Sequence, residues 1–310
     1  GGFCILNALI PICSSYLRAF GFSKEPLYAS IIGNVINFCL NAFFLFVLHK
    51  GVAGVATATV ISRIINLVIV VLLGAVLVKA KQHPERESNR AVMGQIIRIG
   101  LPSACETAIY NVSMTLVIRF LNQMDAQGLN VTARSYTMQI TNFSYCVGAA
   151  LAQANAIMTG WHIGAKEYDA CDRGTKKAAV IGVIVAVILE TVFTLCSGWI
   201  MQLFSKDPQM VSLVGKLLAI DIVLEIGRVT NLVYGQALKT SGDAVFPVVM
   251  GACFMILCSV GGTYLFGIRL GLLAVGAYIG MTGDECVRAV GMYLRWKSGK
   301  WKEKGLVKSR

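Results

Sequence analysis

Apolar residues fill this chain in long unbroken runs, each closed by a short polar interval. A helix rising 1.5 Å per residue needs about 20 apolar residues to cross a hydrocarbon layer of about 30 Å. The pattern predicts such spans at 27–48, 52–78, 96–121, 131–159, 178–204, 211–237, 245–267 and 271–294, with 1–17 as the tail end of a ninth. Barrel strands are about 10 residues long and alternate inward and outward positions, which these runs do not. The prediction is an all-α polytopic membrane protein.

A second regularity is laid over the spans. Residues 17–26 read LRAFGFSKEP and residues 238–247 read LKTSGDAVFP, so Leu17, Arg18, Gly21 and Pro26 recur as Leu238, Lys239, Gly242 and Pro247. Each copy precedes an apolar run and then a glycine-led restart, GVAGVATAT from Gly51 and GLLAVGAYI from Gly271. A long-period repeat built of spans is the sign of a two-lobed transporter. The polar stretch KAKQHPERESNR, residues 79–90, then reads as the join between lobes. The predicted organisation is 1–78 as the C-terminal remainder of a first six-helix lobe, 79–94 as a cytoplasmic linker, 95–296 as a complete second six-helix lobe, and 297–310 as a basic cytoplasmic tail. On this reading the chain holds 8 full transmembrane helices plus part of a ninth, from the end of helix 4 through helix 12. About 125 residues would precede Gly1 in the complete protein, and the fragment alone would not transport.

Charge sharpens the picture. Only 14% of residues are charged, against about 25% in soluble domains, and the net charge is +12. The basic residues collect on alternate loops: Arg18 and Lys24, then Lys79 to Arg98, Lys166 to Lys177, Lys239, and Arg295 to Arg310. The opposite loops hold Lys50, Lys206 and Arg269. By the positive-inside rule the richer side, with the C-terminus, is cytoplasmic. A basic protein of this layout calls for no nucleic acid. The tail, WKSGKWKEKGLVKSR, reads as interfacial anchoring on anionic membrane lipids through Trp296, Trp301 and its lysines. The ten cysteines form no CxxC or Cys/His cluster, so no metal site or disulfide framework is predicted.

A charge at the bilayer centre costs about 3 kcal/mol or more unless it is paired or wet. Four acids lie deep: Glu106, Glu190, Asp221 and Glu225. Asp221, Glu225 and Arg228 fall on one narrow helical stripe. Two readings fit it: a net-negative site for a proton or Na⁺, or an Arg228–Glu225 pair that merely neutralises itself. Glu106 has no base within a turn and shares a polar stripe with Ser103, Tyr110 and Ser113; Ser135, Gln139 and Asn142 form another. The amides of the second stripe suit either a cavity or interhelical hydrogen bonds. Glu190 has no partner in its own helix, while Asp284 and Glu285 lie a turn from Arg288 and read as self-paired. Pro102 reads either as a kink or as a first-turn proline.

Several segments carry a resemblance. LRAFGFSKEP with IIGNVINFCLNAFFLF and GVAGVATATVISR, then IGLPSACETAIYN, ALAQANAIMTGWHIGAKEYDACDR and LEIGRVTNLVYGQALKTSGD, resemble the multidrug and toxic compound extrusion (MATE) family in order and spacing. The resemblance implies two six-helix lobes alternating access to a central cavity. It implies export of organic cations against Na⁺ or H⁺, with acids in the first and fourth helices of the second lobe. Those roles fall on Glu106 and on Asp221 or Glu225, with Tyr110, Asn111, Gln139, Asn142, Arg228 and Asn231 lining the cavity. The expectation is a monomeric secondary antiporter of the plasma membrane, with no cofactor beyond the coupling ion. The alternative is a flippase for a lipid-linked oligosaccharide, which needs a basic cavity, whereas the deep bases are few (Arg63, Arg119, Arg134, Arg228). An enzyme is not expected: His49, His83 and His162 lie at loops or span ends, and no nucleophile–base pair is seen.

Overall fold

Every predicted span contains helix in the computed structural model, which describes residues 4–79, 89–125 and 127–304. The helices are α1 (Cys4–Ala19), α2 (Lys24–Ala42, continuing as a π-helix Phe43–Val47), α3 (Gly51–Lys79), α4 (Asn89–Met124), α5 (Leu129–Gly164), α6 (Tyr168–Leu195), α7 (Ser197–Met201), α8 (Pro208–Thr240), α9 (Val245–Phe254, continuing through π-helical turns to Arg269) and α10 (Leu273–Lys297). Among the described residues there is no strand. Four helices, Lys24–Val47, Gly51–Val78, Tyr168–Leu195 and Val245–Arg269, are long and apolar enough to cross a membrane by length and composition. The other long ones, α4, α5, α8 and α10, break their apolar runs with the polar residues that matter below.

Some boundaries move. The predicted span 178–204 begins earlier, at Tyr168, and breaks at Cys196 before the short α7. Residues 89–94, assigned to the linker, are the first turns of α4, and residues 80–88 lie outside the described ones. That helical start puts Pro102 well inside α4, so it is no first-turn proline. The tail is also corrected. Trp296 and Trp301 are each 1% exposed and stack with ring centroids 4.1 Å apart. Trp296 Nε1 donates to Asp172 Oδ1 at 2.9 Å and Trp301 Nε1 to the Trp296 carbonyl at 3.0 Å. Burying both rings under the Lys300–Lys304 3₁₀ turn removes more apolar surface from water than an interfacial belt would. Residues 305–310 lie outside the described ones.

The chain divides into two compact units, Gly1–Glu87 and Ser88–Arg310. The first packs α1 and α2 against α3 around Leu17, Ala29, Val70 and Val78, with Asn37 Nδ2 donating to Ser62 Oγ at 3.0 Å between α2 and α3. Its large apolar side chains, such as Phe38 and Phe46, stay mostly exposed, as a lipid solvent allows. The second unit is organised around α8, which packs against α5, α6 and α10. One core gathers Val117, Leu121, Ile140, Leu217, Leu224 and Tyr278; the other gathers Ala152, Ala186, Val229, Val233, Met292 and Trp296.

The repeated segments fold alike. Gly21 (φ +89°) and Gly242 (φ +92°) each end a helix with the Schellman pair of bonds: Gly21 N to Arg18 O and Phe22 N to Leu17 O, and Gly242 N to Lys239 O and Asp243 N to Leu238 O. The restarts match too, but two residues later than the aligned glycines suggest. Lys50 N bonds Phe44 O as Leu272 N bonds Phe266 O. His49 and Gly51 have positive φ, as do Gly271 and Leu273. The backbone counterpart of Gly51 is therefore Leu273, not Gly271. What stays fixed is Gly54 and Gly276, where a Cβ would collide with Phe44 and Phe266 respectively.

Candidate functional site

The polar faces of α4, α5, α8 and α10, with the start of α9, enclose a cavity of about 450 Å³ within the second unit. Its position follows from close helix crossings. At Gly227 of α8 an added Cβ would lie 2.9 Å from the Cys286 nitrogen, so the α8 and α10 backbones touch there. That contact sets Glu225 and Arg228 of α8 beside Glu285 and Arg288 of α10. Gly148 of α5 and Gly182 of α6 are likewise closed by Val229 of α8, at 2.8 and 2.7 Å from a built Cβ. Three helices thus converge one turn from Glu225.

Charged groups on the wall are knitted together. Lys239 Nζ lies 2.5 Å from Glu106 Oε2, joining α8 to α4. Arg288 Nε and Nη2 bond Asp284 at 2.8 and 3.0 Å, and Nη2 also reaches Glu285 Oε1 at 2.9 Å. Ser259 Oγ donates to Asp284 at 2.9 Å and Asn231 Nδ2 to Glu285 at 3.0 Å. Arg228 bonds Glu225 through Nη1 and stands 3.8 Å from Glu285 through Nε. The wall itself is balanced: Glu106, Asp221, Asp284 and Glu285 face Arg134, Arg228, Lys239 and Arg288. Two further carboxyl groups, Glu190 and Glu225, stand behind the wall, both fully buried. Between the charges stand Tyr110, Tyr145 and Tyr278 and the methionines 114, 138, 255, 281 and 292. Aromatic faces attract cations, and methionine adapts to varied shapes.

Of the residues singled out in sequence, Glu106, Tyr110, Asn142, Asp221, Arg228 and Asn231 line this cavity. Asn111 and Gln139 do not; both are exposed, and Asn111 Nδ2 bonds the Thr107 carbonyl in its own helix at 2.9 Å. Glu225 lies behind the wall, fully buried. The count of deep bases was too low, because Arg288 and Lys239 also reach the cavity from positions near span ends. Lys239 was visible only as a loop charge, and its long stem carries it inward.

Glu190 is the most consequential addition. Its carboxylate and those of Asp221 and Glu225 offer oxygens within 4.8 Å of one another, and all three residues are buried. Among the described residues, both Glu190 oxygens, Asp221 Oδ2 and Glu225 Oε2 have no hydrogen-bond partner within 3.5 Å, and the Ser144 hydroxyl stands beside Glu190. The signals in sequence were its depth in an apolar span and the absence of a partner in its own helix.

Outside the spans, Asp243 in the α8–α9 turn shows the opposite arrangement. Burial would raise its pKa, but hydrogen bonds from Arg295 at 2.6 Å and Lys304 at 2.7 Å outweigh that and hold it below the usual carboxylate range.

A charged, solute-sized cavity inside a bundle whose other faces suit lipid is an arrangement that membrane transporters use. Known proteins narrow the class. The MatE family model matches residues 102–265. An uncharacterized transporter of Bacillus subtilis, YisQ, is 33% identical over 99% of this chain and 68% of its own length. A probable multidrug resistance protein NorM of Thermotoga maritima is 21% identical over 97% and 65%. A rabbit (Oryctolagus cuniculus) multidrug and toxin extrusion protein 2 is 21% identical over 88% and 45%. The fold is that of a MATE crystal structure in the straight conformation (TM-score 0.80, 17% identity, 97% of this chain, 76% of that one). It is equally that of the eukaryotic MATE transporter AtDTX14 (TM-score 0.84, 18% identity, 93% and 65%). The chain belongs to the MATE family. It spans about two thirds or less of the length of these curated relatives.

Proposed function

We propose that the full-length protein exports small organic cations by alternating access, in exchange for Na⁺ or H⁺. The observation that carries this reading is the cavity, where tyrosine and methionine surfaces surround Glu106 and Asp221. A cation entering it meets aromatic faces and carboxylates that already hold bases, so binding must displace Lys239 from Glu106 or add charge beside Asp221. Family names support the substrate class, since relatives are called multidrug resistance and multidrug and toxin extrusion proteins. The flippase alternative is not favoured, because four acids face the four bases and no basic cradle for pyrophosphate is formed.

Antiport follows if substrate and coupling ion favour opposite-facing states, which requires differential affinity. The protein acts as a secondary transporter, not an enzyme, as a monomer among plasma-membrane lipids with its C-terminus cytoplasmic. Ion coupling is assigned to Glu106, Asp221 and Glu225, and substrate contact to Tyr110, Asn142, Arg228 and Asn231. In everted vesicles carrying the full-length protein, Glu106→Gln is expected to cut ion-driven accumulation of ethidium at least tenfold. Accumulation at the wild-type rate would remove Glu106 from the exchange.

A further inference from the structure

One base on the cavity wall is left over. Arg228, Lys239 and Arg288 each hold a carboxylate, whereas Arg134 of α5 holds none among the described residues. Arg134 lines the cavity and is only 7% exposed. Its Nε has no hydrogen-bond partner there, and its Nη2 meets the sulfur of Met114, a weak acceptor, at 3.6 Å. A guanidinium stays charged in proteins, so its burial is not relieved by loss of a proton. Arg134 sits in the second turn of α5, which begins at Leu129, close enough to a helix end for a long side chain to snorkel out to water. It turns into the cavity instead. A buried base that forgoes water and meets no acid is arranged for an anion that comes and goes.

One wall acid is left over as well. Asp221 of α8 has no ion pair among the described residues, and its Oδ2 is unpartnered. Tyr278 of α10, itself buried on the same wall, stands in electrostatic range of both Arg134 and Asp221. Arg134 and Asp221 do not pair with each other, so the wall offers one free positive and one free negative group. A ligand that answers both carries both signs of charge. The planar fork of a guanidinium fits a carboxylate through two parallel bonds. A phosphate or pyrophosphate brings more negative charge than one free base balances.

We propose that Arg134 is the anion-recognising residue of this cavity and that the solute is amphoteric, docking a carboxylate on Arg134 and an ammonium beside Asp221. This rests on the export reading above and narrows it, from organic cations at large to those that also bear one carboxylate. A cavity of about 450 Å³ lies in the range that takes drug-sized ligands, and its tyrosines and methionines cover an apolar body. A plain cation leaves Arg134 unanswered and meets its repulsion, so the same residue selects against it.

Rhodamine 110 and rhodamine 123 test this as a matched pair. The first is a zwitterion at neutral pH; the second is its methyl ester, a plain cation. Binding to the full-length protein in detergent is read as fluorescence anisotropy. Arg134→Gln is expected to weaken rhodamine 110 by about tenfold or more, while rhodamine 123 stays within about twofold or binds more tightly. Arg134→Lys keeps the charge without the fork and is expected to fall between, with Arg173→Gln on the exposed start of α6 as the unchanged control. Arg134→Gln removes an unpaired buried charge, so it should melt no lower than wild type; if it does not fold, Arg134→Lys decides by the same split between the two dyes. Equal losses for both dyes, or no binding of rhodamine 110 to wild type, would overturn the proposal. Unchanged rhodamine 110 binding in the variants also overturns it, and if acetate then tightens rhodamine 123 on wild type, the guanidinium belongs to a free anion. Arg134-dependent binding of rhodamine 110 without ion-driven transport of any dye keeps the subsite and overturns export. Ethidium export with Arg134 indifferent to the carboxylate does the reverse.

Discussion

Two groups of acids share one helical unit in opposite surroundings. Asp284, Glu285 and Glu106 are each held by a base, Arg288 or Lys239. Of Glu190, Asp221 and Glu225, only Glu225 has an ion pair among the described residues, with Arg228, and four carboxylate oxygens there have no partner within 3.5 Å. Position within the long helices does not separate the groups; partnership does. A fully paired buried acid belongs to the architecture, and an unpaired one is poised for something that arrives.

The comparison breaks most visibly where a paired acid loses its base. Arg288→Leu leaves buried Asp284 without a counter-charge and Glu285 with Arg228 alone, a loss of about 3–5 kcal/mol, seen as a sharp fall in melting temperature and yield. In the unpaired group the sign reverses. Glu190→Gln replaces a buried carboxyl group that crowds Asp221 and Glu225 and should stabilise the protein by about 1–3 kcal/mol; a lower melting temperature would mean that Glu190 belongs with the paired acids.

Asp243 sharpens the contrast outside the spans. Its folded pKa lies below its unfolded value, so its stabilisation is complete above the ordinary carboxylate pKa of about 3.9 and is lost as pH falls through the folded value. The gap in melting temperature between wild type and Asp243→Asn should therefore be constant near neutral pH and close below about pH 4. Smallest is Lys239→Met. The Lys239–Glu106 pair is partly open to solvent, and its loss should cost about 1 kcal/mol or less of thermal stability while leaving Glu106 free.

Much of the fold was legible because membrane helices write their length into hydropathy. The repeat was legible too, but only in part. Glycines drew the eye to Gly51 and Gly271, while the backbone pairs Gly51 with Leu273, because the second copy bears its positive φ on a leucine. What one helix carries alone, the Asp221–Glu225–Arg228 stripe, could be read from a period of 3.6. What needs two or three helices could not. Ser144 and Glu190 become partners of that stripe only through the Gly148–Gly182–Val229 convergence, and Lys239 meets Glu106 across more than a hundred residues of chain. Trp296 and Trp301 read as an interfacial pair, and only the stacked 3₁₀ turn reveals them as core.

The claim that exchange runs through the unpaired acids is tested most directly by gradient-driven flux. Full-length wild type and Asp221→Asn are reconstituted in proteoliposomes, and ethidium movement is followed under an imposed sodium gradient or, separately, an imposed pH gradient. The account predicts that wild type answers at least one gradient and that Asp221→Asn falls to the leak of empty vesicles under both. Wild-type flux from Asp221→Asn would contradict it.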